Sequence, residues 1–132
     1  MTRWYGATII ECVKQKREFN SPSSHGFLRV AVCVPHLKVA EPEFNVERTI
    51  ELAKVAAERG SAIALFPELG ISAYSNEDLF HQEALLGASL TALGRLVEAT
   101  RGLSSVIVVG VPLRFEQRLY NCAVAVCGGE VL

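Results

Sequence analysis

The sequence predicts an α/β domain. Short apolar runs of strand length recur at residues 28–34, 61–66, 105–111 and 119–126, the first three each followed by a Pro. Helical patterns fill the gaps between the first three runs, whereas the third and fourth follow each other directly. The order strand, helix, strand, helix, strand, strand is that of an α/β sheet whose first strands run parallel.

The elements follow in turn. Leu28-Arg29-Val30-Ala31-Val32-Cys33-Val34 is the first strand, closed by Pro35. Asn45 is a good N-cap, and Val46, Ile50, Ala53 and Ala57 then form one helical stripe. Glu47, Arg48, Glu51, Lys54 and Glu58 fill the wet face, and Gly60 ends the helix. Ser61 to Phe66 is the second strand. Ser75 with Asp78 marks a further helical start. From Glu83 a second helix carries Leu86, Leu90, Leu93 and Val97, and Gly102 stops it. Ser105 to Val111 and Leu119 to Val126 are the inner strands that follow. Val124 and Val126 occupy one face of the latter, Ala123 and Ala125 the other. Cys127-Gly128-Gly129-Glu130 is a hairpin turn, and Val131-Leu132 opens a fifth strand. A domain does not normally end two residues into a strand, so residues 26–132 are expected to be the front part of a larger domain. Residues 1–25, polar and turn-rich, are expected to be a loosely ordered extension.

The bulk numbers exclude several classes of function. Of 132 residues 50% are hydrophobic and 20% charged, with a net charge of −1, so nucleic acid and anionic membranes are not expected partners. The longest uncharged apolar run, Val106 to Leu113, is far shorter than the roughly 20 residues of a membrane span. The four cysteines form no CxxC, and His25, His36 and His81 are scattered, so no metal site is expected. Cys33, Cys122 and Cys127 lie in apolar runs and read as reduced core residues, which suits a cytoplasmic protein.

Phe66-Pro67-Glu68 raises the chemical question. Pro67 cannot donate to a sheet ladder, so the strand stops there and Glu68 stands just past a buried edge. A carboxylate in that position commonly caps a turn or pairs with an arginine. At the carboxyl end of a strand it is also where α/β sheets place their chemistry, and it could act as a general base. Leu65, Phe66, Leu69 and Ile71 would then dry its surroundings. Tyr74 is a turn residue or the wall of a polar pocket. Asn121, an amide inside an apolar strand, would tie down local backbone, and His81 would be a surface or helix-start residue.

Three stretches, in order and spacing, resemble the carbon–nitrogen hydrolase (nitrilase) superfamily, and within it the glutaminase domains of glutamine-dependent NAD(+) synthetases. They are Phe66-Pro67-Glu68-Leu69 with Tyr74 six residues on, Ser72-Ala73-Tyr74-Ser75-Asn76-Glu77-Asp78-Leu79, and Val109-Gly110-Val111-Pro112-Leu113-Arg114 followed by Arg118-Leu119-Tyr120-Asn121-Cys122-Ala123-Val124. His25 to Ala31 is similar to the entry strand of the same branch, so the resemblance runs from about Gly26 to Leu132. Ala73 departs from it, standing where Gly is common.

The resemblance implies an α-β-β-α sandwich, of which this chain is the front part, and a Glu–Lys–Cys triad. Glu68 matches the triad glutamate, the general base, and Tyr74 the tyrosine beside the glutamine pocket. Lys14, Lys16, Lys38 and Lys54 all precede Glu68, whereas the family's lysine and nucleophilic cysteine lie beyond the strand begun at Val131. The 132-residue chain is therefore expected to lack both and to be inactive alone. In the complete enzyme the Glu takes the thiol proton, the Cys attacks the glutamine amide, the Lys stabilises the oxyanion, and water hydrolyses the thioester. The ammonia feeds NAD(+) synthesis from deamido-NAD in a separate domain that uses ATP and Mg; no cofactor is expected in this chain. Implied partners are glutamine, the second glutaminase half, the synthetase domain, and further copies in a homo-oligomer. Alternatives are the front of another amidase of the superfamily, or a non-catalytic domain that binds a partner through an uncovered sheet.

Overall fold

In the computed structural model, which describes residues 22–132, one five-stranded sheet is flanked by two long helices. The extension expected over residues 1–25 lies almost wholly outside the described residues. The strands are β1 (Val30–Val32), β2 (Ile63–Leu65), β3 (Val106–Phe115), β4 (Arg118–Cys127) and β5 (Glu130–Val131). The helices are α1 (Pro42–Glu58) and α2 (Glu83–Ala99), with short 3-10 turns at Pro22–His25 and Glu77–His81. The sheet order is β1-β2-β3-β4-β5. The β1–β2 and β2–β3 pairs are parallel, as the alternation with helices predicts, and β3–β4 and β4–β5 are antiparallel.

Both helices cover the same face. Val46, Ala53 and Ala56 of α1 and Ala92, Leu93 and Leu96 of α2 share one core cluster with Cys33, Ala64, Phe66, Ile107, Val109, Val111 and Val126 of the sheet. Arg95 of α2 pairs with Glu43 and Glu47 of α1, surface pairs that contribute about 0–1 kcal/mol each against the larger apolar term.

The opposite face is open. Val30 and Leu65 are exposed on it, and Val32 and Val34 are 76% and 78% exposed. Hydrophobicity alone offers Ile63, Val106, Val108, Val124 and Val126 for such a surface. The register puts Ile63, Val106 and Val108 on the face of Val30 and Leu65, with Ile63 and Val108 half-buried and Val106 buried, whereas Val124 and Val126 stand opposite Val109 and Ile107 on the helix-covered side.

Several local expectations shift. Glu41, not Asn45, is the N-cap of α1, because Pro42 takes the first turn, where its lost N–H costs nothing. Leu90 is exposed; the buried stripe of α2 runs through Leu86, Ser89, Leu93 and Leu96. β3 continues past Val111 to Phe115, because β4 pairs along its whole length. Pro112 is tolerated there, since β2 pairs with β3 only as far as Val108. Gly128 and Gly129 have φ of 59° and 87°, the left-handed pair of a two-residue hairpin turn. Cys33 and Cys122 are free thiols, whereas Cys127 is disulfide-bonded, so the reading of three reduced cysteines holds for two.

Candidate active site

Glu68 follows β2 at its carboxyl end, where the chain leaves the sheet. Phe66 N–H still bonds Val108 O at 2.9 Å; then Pro67 ends the ladder. The chain turns back over β3, with Gly70 N–H to Pro67 O and Ile71 N–H to Gly110 O, both 3.1 Å. Gly110 makes that crossing possible. A Cβ there would overlap the Leu69 backbone nitrogen and come within 2.8 Å of Glu68 Cα. A glycine inside an apolar strand is the sequence sign of such a close approach. Leu69 takes the left-handed conformation at φ 51°, a cost of about 1–2 kcal/mol held by the surrounding contacts.

Buried amides fasten the loop from below. Asn45 Nδ2 donates to Ile71 O (3.1 Å) and to Lys38 O (2.8 Å), and its Oδ1 accepts from Lys38 N–H (2.7 Å). This side chain, fully buried, joins the segment before α1 to the segment after Glu68. Asn76 Nδ2 donates to Ser72 O (2.8 Å) and Ala73 O (2.6 Å), closing the turn around Tyr74. Ala73 there has φ of 67°, which explains in physical terms why glycine suits the position.

The carboxylate of Glu68 is exposed, not enclosed by apolar neighbours. Its Oε1 accepts a 2.5 Å hydrogen bond from Asn121 Nδ2 on β4. Asn121 therefore serves the carboxylate and not the local backbone, in contrast to the reading from sequence. Glu68 and Asn121 share the wall of a cavity of about 440 Å³ with Leu69, Tyr74, Ser75, Glu77 and Phe80. Tyr74 is 66% exposed at this opening, free to meet a ligand. Glu68 and Asn121 also line a second cavity of about 310 Å³, with Leu65, Val108, Gly110 and Ala123. Cys122 borders it, but its side chain packs against the core cluster on the opposite face of β4 from Asn121. Lys38 pairs with Glu41 at 3.5 Å, and neither Lys38 nor Lys54 lines either cavity. His81 ends the 3-10 turn after Tyr74 and lines neither cavity.

A carboxylate at the end of a parallel strand, on the rim of an open cavity beside a tyrosine, stands where α/β sheets place their ligand sites. The chain belongs to the carbon-nitrogen hydrolase family, whose profile matches residues 29–130. Over 114 residues, or 86% of its length, it is 43% identical to the glutamine-dependent NAD(+) synthetase of Mycobacterium tuberculosis. The structure of glutamine-dependent NAD(+) synthetase from Acinetobacter baumannii superposes on 80% of this chain with a TM-score of 0.70 at 29% identity. An amidase from Nesterenkonia superposes on 80% with a TM-score of 0.64 at 21% identity, a likeness of fold. The chain spans only 17% of the length of the M. tuberculosis relative, 20% of the A. baumannii chain and 40% of the amidase chain.

Proposed function

We propose that this chain is part of the glutaminase unit of a glutamine-dependent NAD(+) synthetase, with residues 26–132 as the N-terminal part of that unit. In this reading Glu68 is the general base and Tyr74 flanks the glutamine pocket. The observation that carries it is that Glu68 and Tyr74 line the same 440 Å³ cavity. One carboxylate oxygen is engaged by Asn121, and the other remains to accept a thiol proton. A cavity of this size holds an amino acid side chain and its amide. The 43% identity to a glutamine-dependent NAD(+) synthetase favours glutamine as the amide.

The nucleophile and its oxyanion-stabilising lysine come, in this proposal, from the second half of the unit, packed on the open sheet face. Among the described residues no three His, Cys, Asp or Glu side chains gather to hold a metal ion. In this reading ATP and magnesium serve a separate synthetase unit, as the likeness to NAD(+) synthetases suggests, and no step here runs through them.

The test is Glu68→Gln in the full-length polypeptide, with NAD(+) synthesis driven in turn by glutamine and by free ammonia. Loss of the base lowers glutamine-driven synthesis by about 10²–10⁴ and leaves ammonia-driven synthesis intact. Glutamine-driven synthesis near wild type would reduce Glu68 to a structural carboxylate.

A further inference from the structure

We propose that Asn121 is a positioning residue for Glu68: its amide fixes the carboxylate orientation and assigns the two oxygens different tasks. The proposal rests on Glu68 being the base and goes beyond it to how the base is aimed.

The register makes the case. β3 and β4 form a continuous antiparallel ladder from Ile107↔Val126 to Phe115↔Arg118. Alternation along it puts Gly110, Pro112, Asn121, Ala123 and Ala125 on the open face. The Glu68–Leu69 backbone crosses that face at Gly110. Asn121 stands diagonally across from Gly110, so its side chain rises beside the crossing chain and meets Glu68 Oε1 at 2.5 Å. Asn121 is the only side chain hydrogen-bonded to the Glu68 carboxylate among the described residues, and none of the ion pairs there involves Glu68. A glutamate side chain has three rotatable bonds, and on an exposed loop end nothing else would hold it to one rotamer.

The chemistry follows from the inventory of an amide. Nδ2 only donates, so it engages an ionised oxygen and gives no proton to it. Oε1 is thereby occupied, and Oε2 is left as the acceptor for the nucleophile's proton. Both anchors stand on the rigid hairpin: Gly110 sets the backbone, Asn121 the head group. A base misplaced by about 1 Å loses on the order of 10²-fold in rate.

The experiment uses the full-length polypeptide with Asn121→Ala, Glu68→Gln and the double variant, assayed with glutamine and with free ammonia. Asn121→Ala is expected to lower kcat with glutamine 10- to 100-fold, with KM for glutamine changed less than threefold and ammonia-driven synthesis unchanged. In the Glu68→Gln background the same change is expected to cost nothing further. Asn121→Ser, which keeps a shorter donor, is expected to recover part of the rate. If Glu68→Gln is inactive with glutamine while Asn121→Ala is near wild type, the positioning role is overturned and the base assignment stands. If Glu68→Gln itself is near wild type, both fall. Equal loss of glutamine- and ammonia-driven synthesis in Asn121→Ala, or a rise in KM with kcat unchanged, assigns Asn121 to the fold or to substrate binding and overturns the proposal. Asn121→Leu, which fills the same space without a donor, checks the packing: wild-type melting with the full kcat loss supports the proposal, and wild-type kcat overturns it.

Discussion

Gly110 lies directly beneath Leu69, close enough that the smallest side chain would displace the backbone carrying Glu68. Replacing it with alanine forces either strand β3 or the loop to move. We expect Gly110→Ala to destabilise the chain by about 1–3 kcal/mol, in the range of overpacking. Urea unfolding measures this. A midpoint within error of wild type would mean that the loop can lift freely and that Glu68 is not held by the crossing.

Ala73 predicts the opposite sign. At φ 67° an L-residue is strained by about 1–2 kcal/mol, while glycine in an ordered segment costs about 0.5–1 kcal/mol in entropy. Ala73→Gly should be neutral to about 1 kcal/mol stabilising. Ala88→Gly, at an exposed position within α2, should cost about 1 kcal/mol. Thermal melts of the two variants should therefore move apart. Both shifting downward together would contradict the left-handed assignment at Ala73.

The Asn45 clamp yields a third expectation. Asn45→Ala strands Ile71 O in a buried place and Lys38 N–H in a partly buried one. A buried orphaned group costs about 1–3 kcal/mol, so a loss of that order is expected. Hydrogen exchange should locate the damage at residues 38–41 and 69–73. Faster exchange spread evenly over the sheet would argue that Asn45 does not specifically link these segments.

Cys33 gives a dependence on pH. Burial pushes its thiol above the ordinary value. The folded state thus holds the proton to a higher pH than the unfolded chain. The stability it contributes is complete below the unfolded value of about 8.5 and is lost as pH rises through the folded value. Unfolding free energy should fall between neutral pH and pH ~10, and fall less in Cys33→Ala. An identical decline in both proteins would place the effect elsewhere.

The isolated 132-residue chain should release no ammonia from glutamine. No lysine follows Glu68 in its sequence, and the Cys122 side chain faces the core. Ammonia production abolished by Glu68→Gln would refute this.

Element type and order were legible because periodicity reports them locally: the strand at Ile63–Leu65 and the helix from Glu83 fall where the pattern puts them. The roles of the asparagines were not. Asn45 satisfies the preferences of a cap, yet Pro42 three residues earlier starts the helix and frees the amide for Lys38 and Ile71. Asn121 reads as a local tie until the β3–β4 register places it under Glu68, a residue 53 positions away. Which face of the sheet is bare also depended on register: Val126 and Val32 are equally apolar, and only pairing separates the buried from the exposed. Long-range partners of a polar side chain are set by topology, which local spacing does not contain.

The sheet topology also carries a consequence in time. The β3–β4 hairpin closes a two-residue turn at Glu116-Gln117, and hairpins of this kind form in about 1–10 μs. The pairing of Val30 with Ile63, and of Ile63 with Val106, must first enclose a whole helix, and such closures are slow. Asn121 and Gly110 thus belong to the early-forming element, and Glu68 arrives on it only when β2 docks. Pulse-labelled exchange during refolding should protect the amides of residues 107–126 before those of residues 63–66. The platform for the carboxylate is then laid down before the carboxylate itself, and the order of folding is the order in which the site is assembled.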